Sequence, residues 1–443
     1  MYIPDDKQLN FNDGWFIKPE LNKEHFIVKL TEAINWDNIT TQLSKFYRLA
    51  NGRPTKPARV MVGLLFLQRI YKLSDEETVR LLHENVYAQY LCNISLRQSR
   101  KFVDRTTLVK FRKRIGLEGL KIIEQEVFRI ITKISHKGHK RLVLDTTIIP
   151  SAIQYPTDID LLNKARNKII SLLDQAKAFG AKTYRTYKRT ARKVYLSYCK
   201  LRKRTKKVKR KIHKKLIQFT QRNLKQLVDV INNFAQKITP NDKNLQRWLS
   251  KANNLKQIVS KLLNQQKDLY LGKQVKERIV SLWATHIRPM VRGKFPTEVE
   301  FGPKVSFSLV GKYLFLNNLM FENTHDSNLL VGAIEHYKNT FGSLPNEIAT
   351  DRGFYSKANV DYAKSLGINR VGIQKKGKSL ADTKPPPFLI KAKRLCCRME
   401  AKISLAKRRF GLNRIRIRIP NAEEFWTRLG LMVMNLKSAL DYG

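Results

Sequence analysis

The stretch that decides the fold is Glu298–Val310, E-V-E-F-G-P-K-V-S-F-S-L-V. Val299, Phe301, Val305, Phe307 and Leu309 fall on one side, and Glu300, Lys304, Ser306 and Ser308 on the other, the alternation of a strand with one apolar face. Gly311-Lys312 supplies a turn and Tyr313–Phe321 a returning strand. Further on the period alternates: Asp326–Thr340 reads as helix, Glu347–Thr350 as strand, Ser356–Leu366 as helix and Arg370–Gln374 as strand. Lys391–Phe410 is a long helix with Leu395, Met399, Ile403, Ala406 and Phe410 on its apolar face, closed by Gly411. Upstream, Arg141–Thr146 (R-L-V-L-D-T) reads as a buried strand. Strand, hairpin, helix, strand, helix, strand, helix is an α/β sheet of mixed direction.

Ahead of this sheet the chain is helical from Pro57. Val60, Leu64, Leu67 and Tyr71 repeat at helical spacing, and Ser74 with Asp75-Glu76-Glu77 reads as a cap and an acidic first turn. A helix follows through Leu81, Leu82, Val86 and Tyr90. Thr106-Thr107 opens another, with Leu108, Phe111 and Ile115 on one face and Lys110, Arg112, Lys113 and Arg114 on the others. Short helices ending in a basic one suit a helix-turn-helix reader of DNA, with base choice from Thr106–Gly116. A plain bundle with solvated charges is the alternative. Between the first strand and the hairpin lies an insert, Thr157 to Thr285. Its Gln175–Val228 portion holds 20 Lys/Arg and no Asp or Glu, yet Val194, Leu201, Val208 and Ile212 keep a helical seam. Trp248, Leu255, Ile258 and Leu262 mark a second amphipathic arm, so a basic helical hairpin is expected. Tyr184, Tyr187, Tyr195 and Tyr198 share one side of the first arm and are expected to pack against the second. Lys375–Pro387 reads as a basic, proline-rich loop.

Composition narrows the function. The 443 residues are 42% hydrophobic, which excludes wholesale disorder, but 86 Lys+Arg against 36 Asp+Glu give a net charge of +50. Such self-repulsion calls for a polyanionic partner, nucleic acid before an acidic membrane surface. No run of 18 apolar residues is present to span a bilayer, Met1–Asn22 has no secretory pattern, and Cys92, Cys199, Cys396 and Cys397 have no C-x-x-C spacing. An intracellular, nucleic-acid-binding protein is expected.

Three acids stand out in this basic chain. Asp145 and Asp351 each end an apolar strand, and Glu400 lies on the last long helix, one position round from its apolar face. Any one of them alone is as readily a capping acid. Together, at strand ends of an α/β sheet, they offer the hard oxygen ligands of two divalent cations and hence in-line phosphoryl transfer.

The same residues carry a resemblance. L-D-T-T at Leu144–Thr147, A-T-D-R-G-F-Y-S at Ala349–Ser356 and R-M-E-A-K-I-S-L-A-K-R-R-F-G-L-N-R at Arg398–Arg414 resemble the first, second and third motifs of DDE transposases of bacterial insertion sequences, and V-R-G-K-F-P-T-E-V-E-F-G-P-K-V-S at Val291–Ser306 is similar to them just ahead of the second and third strands. Pro54–Gly116 resembles their N-terminal helical domain. Where such enzymes often have Tyr and Arg ahead of the Glu, this chain has Lys393 and Cys396, while Lys407 keeps the lysine seven residues beyond Glu400.

The resemblance implies an α/β, ribonuclease-H-like mixed sheet with an N-terminal helical domain and a long basic helical insert between the first and second strands. The corresponding boundaries are a helical DNA-binding domain over 1–135, a catalytic domain over 136–156 and 286–420, the insert over 157–285 and a C-terminal helix over 421–443. It further implies Asp145, Asp351 and Glu400 as catalytic residues and ligands of two Mg²⁺ ions, with Mn²⁺ as a substitute. Arg352, Arg398, Lys407, Arg408 and Arg409, with Lys110, Arg112, Lys113 and Arg114, become the DNA contacts. The partners would be double-stranded DNA, as element ends and target, and a second copy of the chain on that DNA, in the cytoplasm at the nucleoid. A nuclease of the same fold that cuts without joining, and a decayed basic DNA binder, remain alternatives.

Overall fold

Five strands form one mixed sheet, and the order of those strands is what brings the acids to one edge. A computed structural model describes residues 20–47, 55–95, 102–134, 140–153, 155–236, 242–291, 299–373 and 387–441. The Lys375–Pro387 loop falls almost wholly outside these residues. The chain divides into two units, one of residues 1–152 with 303–443 and one of residues 153–302.

The first unit starts with six helices: α1 (Phe26–Ala33), α2 (Trp36–Leu43), α3 (Ala58–Ile70), α4 (Asp75–Glu84), α5 (Val86–Cys92) and α6 (Arg105–Ile134). The expected cap is present as a reciprocal pair: Glu77 N–H donates to Ser74 Oγ at 3.2 Å and Ser74 N–H to Glu77 Oε2 at 2.7 Å. The Thr106 helix does not end at Gly116. Gly116 takes φ 54°, ψ −154°, a conformation that glycine adopts freely, and α6 resumes beyond this break.

Then come β1 (Arg141–Ile148) and, after the second unit, β4 (Lys304–Val310), β5 (Tyr313–Met320), α11 (Leu330–Phe341), β6 (Glu347–Thr350), α12 (Lys357–Ser365), β7 (Arg370–Gly372), α13 (Pro387–Arg409) and α14 (Ala422–Leu440). The strand order is β5-β4-β1-β6-β7. β4 runs antiparallel to β1 and to β5, whereas β6 and β7 run parallel to β1. Both faces are covered. Val143, Val305, Phe307, Leu309 and Ala349 join one apolar core with α13, α14 and the N-terminal helices. Leu142, Leu144, Val310 and Ile348 join a second core under α11 and α12. Coverage on both sides explains why Ser306 and Ser308, expected on a polar face, are buried and bonded to Asn317.

Two expectations of domain structure are corrected here. The N-terminal helices are not a separate domain, because one core runs from α1 to the sheet. The C-terminal helix is likewise part of that core: most of α14 is buried, from Phe425 and Trp426 to Leu436 and Ala439. Arg69 of α3 joins it, donating to Trp426 O at 2.5 Å with its guanidinium 3.3 Å over the Trp426 ring. Asn435 covers the outer edge of β5, accepting from Leu314 N–H at 3.0 Å and donating to Leu314 O at 2.9 Å.

α13 comes close to the sheet at one glycine. A Cβ on Gly372 would stand 2.5 Å from Ala392 Cβ and 3.0 Å from Ile348 O, so backbone and helix both obstruct it. Gly372→Ala is expected to cost about 1–3 kcal/mol by overpacking. A urea melt checks it, and an unchanged midpoint contradicts the tight seat of α13.

The second unit contains α7 (Asp158–Ala176), α8 (Lys188–Cys199), α9 (Lys206–Ala235), α10 (Lys243–Tyr270), β2 (Pro289–Val291) and β3 (Val299–Phe301). The expected hairpin is instead a bundle in which α7, α8, α9 and α10 share one apolar core. The long basic run is broken between α8 and α9 by residues 200–205, which the seam of apolar positions did not register. Tyr184, Tyr195 and Tyr198 pack on this core, and the Tyr187 ring has the guanidinium groups of Arg185 and Arg222 at 4.8 and 4.6 Å. The Glu298–Val310 strand is likewise divided: β3 pairs with β2 in this unit, and β4 belongs to the main sheet.

Candidate active site

β1 and β6 are adjacent and parallel, with Leu144 opposite Thr350. Each acid follows one step on: Asp351 just past the end of β6, where α/β sheets place their sites, and Asp145 inside β1, which does not end there as expected but runs on to Ile148 paired with β4. Asp145 faces the α13 side, being register partner to Phe307 of that core. Its Oδ1 accepts from Thr146 N–H at 2.7 Å. Asp351 begins a 3-10 turn, Arg352–Phe354, and accepts from Gly353 N–H at 2.9 Å.

A fourth acid, Asp326, joins them. It heads the 3-10 turn Asp326–Leu329, accepts from Thr146 Oγ1 at 2.9 Å and pairs with Lys304 Nζ at 2.7 Å. A Cβ on Gly353 would stand 2.8 Å from Asp326 Oδ2 and 3.1 Å from Asp351 Oδ1, so both carboxylates crowd that glycine. Asn359 ties the two turns together, donating to Ser327 O at 2.7 Å and Phe354 O at 2.9 Å. Asp326 sits in no motif; only its place at a helix start after His325 marked it in the sequence.

The charges act on one another. The Asp145 carboxyl is pushed up from an ordinary 3.8 to about 7, first by burial, against the pull of the Thr146 N–H, and then by the negative charge of Asp351, Glu400 and Asp326. The Cys396 thiol, four residues before Glu400 on α13, is pushed up to about 12 by burial and by Asp145, Asp351, Cys397 and Glu400. Asp145, Asp351 and Glu400 thus share one field. Among the described residues, no group of three or more His, Cys, Asp or Glu side chains is gathered so as to hold a metal ion. The donor set fits a hard divalent cation in kind, all carboxylate oxygen. In position Asp145 and Asp351 each have one oxygen fixed by a backbone N–H, and Asp326 is paired with Lys304.

A raised carboxyl pKa weighs against folding. The cost is absent below about pH 4, grows as pH rises through the folded value near 7 and is full above it. At about 1.4 kcal/mol per unit it is at most about 4 kcal/mol. Asp145→Asn is therefore expected to raise the melting temperature at pH 8 and by much less at pH 5. Equal gains at both pH values, or a loss at pH 8, contradict the shared field.

The cations expected at DNA divide into two kinds. Lys110, Lys113, Arg352, Arg398, Arg408 and Arg409 are exposed, as is Arg114, whose guanidinium lies 4.7 Å over the Tyr47 ring. Arg112 is a correction: it is 1% exposed and forms a bidentate pair with Asp75 beside Gln68, so it holds α6 to α3 and α4 and faces no DNA. Lys407 turns onto β1, donating to Thr147 Oγ1 at 2.7 Å and Ile148 O at 2.9 Å. It fixes the helix bearing Glu400 against the strand bearing Asp145. No described helix is long and apolar enough to cross a membrane.

A strongly basic α/β protein with acids gathered at the edge of a mixed sheet has the makings of a nucleic-acid-processing enzyme. Residues 16–114 match the family model described as Transposase domain (DUF772). The chain is also 33% identical over 176 residues to a protein of Rhizobium meliloti named "Uncharacterized protein ORF8 in nfe locus", covering 39% of this chain and 83% of the relative. The chain belongs to the transposase family that this domain defines. No solved structure matches it.

Proposed function

We propose that the chain is a DNA transposase of the DDE type, built on a ribonuclease-H-like sheet and encoded by a bacterial insertion sequence. The observation that carries the reading is the pair Asp145 and Asp351 on neighbouring parallel strands, with the charge of Glu400 felt at Asp145. The β5-β4-β1-β6-β7 order, an antiparallel hairpin beside three parallel strands, supports the fold assignment.

The reaction is hydrolysis at the element's ends to free 3′-hydroxyls, followed by attack of those hydroxyls on target-strand phosphates. Each transfer makes one P–O bond and breaks one. Asp145, Asp351 and Glu400 would hold two Mg²⁺ ions, or Mn²⁺ in their place, which when bound supply nucleophile activation and charge neutralisation at the leaving oxygen. The chain's own part is positional. Thr146 N–H and Gly353 N–H orient Asp145 and Asp351, and Lys407 sets the height of α13. Arg352, Arg398, Arg408 and Arg409 are exposed to take backbone phosphates near the acids, and Lys110, Lys113 and Arg114 to take them from α6. Two copies bridging two ends, working in the cytoplasm on nucleoid DNA, complete the proposal.

The test incubates the full chain with a supercoiled plasmid carrying its gene and flanking DNA, plus a second plasmid as target, with Mg²⁺ or with EDTA. Nicks at defined ends and joined products in Mg²⁺ alone are expected. Cleavage without joining replaces the reading with a nuclease; binding without cleavage replaces it with a DNA-binding protein.

A further inference from the structure

Inside the basic insert, α7 carries an arginine that no acid accompanies. Arg166 is 1% exposed. Its Nη2 donates to two neutral amides, Asn163 Oδ1 at 2.9 Å and Asn167 Oδ1 at 2.8 Å. Its Nε and Nη1 are buried with no hydrogen-bond partner. A guanidinium out of water with two donors idle is a costly arrangement that an anion would relieve. Arg166 lines a cleft of ≈ 810 Å³ between α7 and α8, and the exposed Lys188 and Arg192 stand at its rim. The rim's carboxylate, Asp174, is taken up by Lys177 at 2.9 Å and Lys188 at 3.9 Å.

We infer that this cleft is a phosphate-binding site, in which Arg166 presents an idle N–H of its guanidinium to a phosphate oxygen while Lys188 and Arg192 close on the anion from the rim. With both Nη2 hydrogens given to the amides, the contact left to Arg166 is a charge-assisted hydrogen bond from Nε or Nη1. Asn163 and Asn167 orient the guanidinium without neutralising it, which a carboxylate in their place would do. The rim residues have long stems that part to admit the anion. Two sources share this chemistry: a phosphodiester of a nucleic-acid strand and free inorganic phosphate. The 20 Lys/Arg of the surrounding Gln175–Val228 run, among them the exposed Lys207, Lys211 and Lys214 along α9, favour the phosphodiester. The inference rests on the transposase reading for the source of that phosphodiester alone.

The experiment reads binding and not cleavage, so its failure is separate from failure of the proposed reaction. Full chain and its Arg166→Gln, Arg166→Lys and Arg192→Gln variants are titrated into a labelled duplex at several salt concentrations, and melted with and without millimolar inorganic phosphate. The expected result is duplex binding weakened about tenfold by Arg166→Gln and severalfold by Arg192→Gln, with partial recovery in Arg166→Lys, which keeps the charge. The slope of log affinity against log salt should fall by about 0.9 for each lost contact. Stabilisation of the wild type by phosphate, abolished in Arg166→Gln with duplex affinity unchanged, keeps the site and assigns it to the free ion. The inference is overturned when folded variants match the wild type in duplex affinity and salt slope and phosphate moves no melting temperature. Arg192 is exposed, so Arg192→Gln decides the matter if Arg166→Gln does not fold.

Discussion

Asp351→Asn is expected to abolish strand cleavage, by roughly 10²–10³-fold or more, while the variant stays folded and bound to DNA. Asp351 is exposed at a strand end and accepts the Gly353 N–H at the start of a 3-10 turn. An asparagine oxygen caps that turn as well as an aspartate does. What the substitution removes is the negative charge beside Asp145 and Glu400. If the acids serve only to cap and to pair, Asp351→Asn keeps its activity, and any cleavage seen would have to come from elsewhere in the chain. The check is the plasmid assay with the variant, alongside a thermal melt and a duplex titration showing that neither fold nor binding has changed. Retained cleavage with normal Mg²⁺ dependence would sink the assignment.

Arg112→Ala is expected to have the largest effect on stability, about 3–5 kcal/mol, because it leaves a partner charge half-buried and unpaired. Both Arg112 nitrogens of the fork bond Asp75, and Nη2 also bonds Gln68 at 3.2 Å, which in turn donates to Asp75 at 2.6 Å. The three side chains join α3, α4 and α6. Denaturant melts measure the loss, and Lys113→Ala, a neighbour that is exposed, serves as the contrast. If Arg112 instead contacted DNA, its removal would weaken duplex binding and hardly shift the melt, and the two substitutions would trade outcomes.

Much of the main sheet was legible because its strands announce themselves locally. Leu142 to Leu144, the turn at Gly311-Lys312 and the run Glu347–Thr350 each carry their signal within a few residues. α13 was legible from Leu395, Met399, Ile403 and Ala406, and so was the position of Glu400 beside that stripe. The misreadings share a cause: each depended on a partner far away in the chain. Arg112 looked like its basic neighbours because Asp75 lies 37 positions before it. α14 was given boundaries of its own because nothing in Ala422–Leu440 says that α3, α6 and β5 pack on it. The bundle of the insert passed for a hairpin because a seam of apolar positions continues across a break as readily as along one helix. Asp326 was legible only as a helix-entry contact near the site, because its closeness to Asp351 arises from two separate turns that Asn359 binds together.

The burial of α14 sets a timetable for synthesis. The helices α1 to α6 emerge from the ribosome well before α14, which supplies the surface they close upon. From the end of α6 at Ile134 to the end of α14 at Leu440, a ribosome working at ~5–20 residues per second needs roughly 15–60 s. Through that interval the leading helices carry apolar surface whose cover is not yet translated. A message cut short before Ala422 would thus release a chain whose opening segment, though complete in length, lacks its last wall.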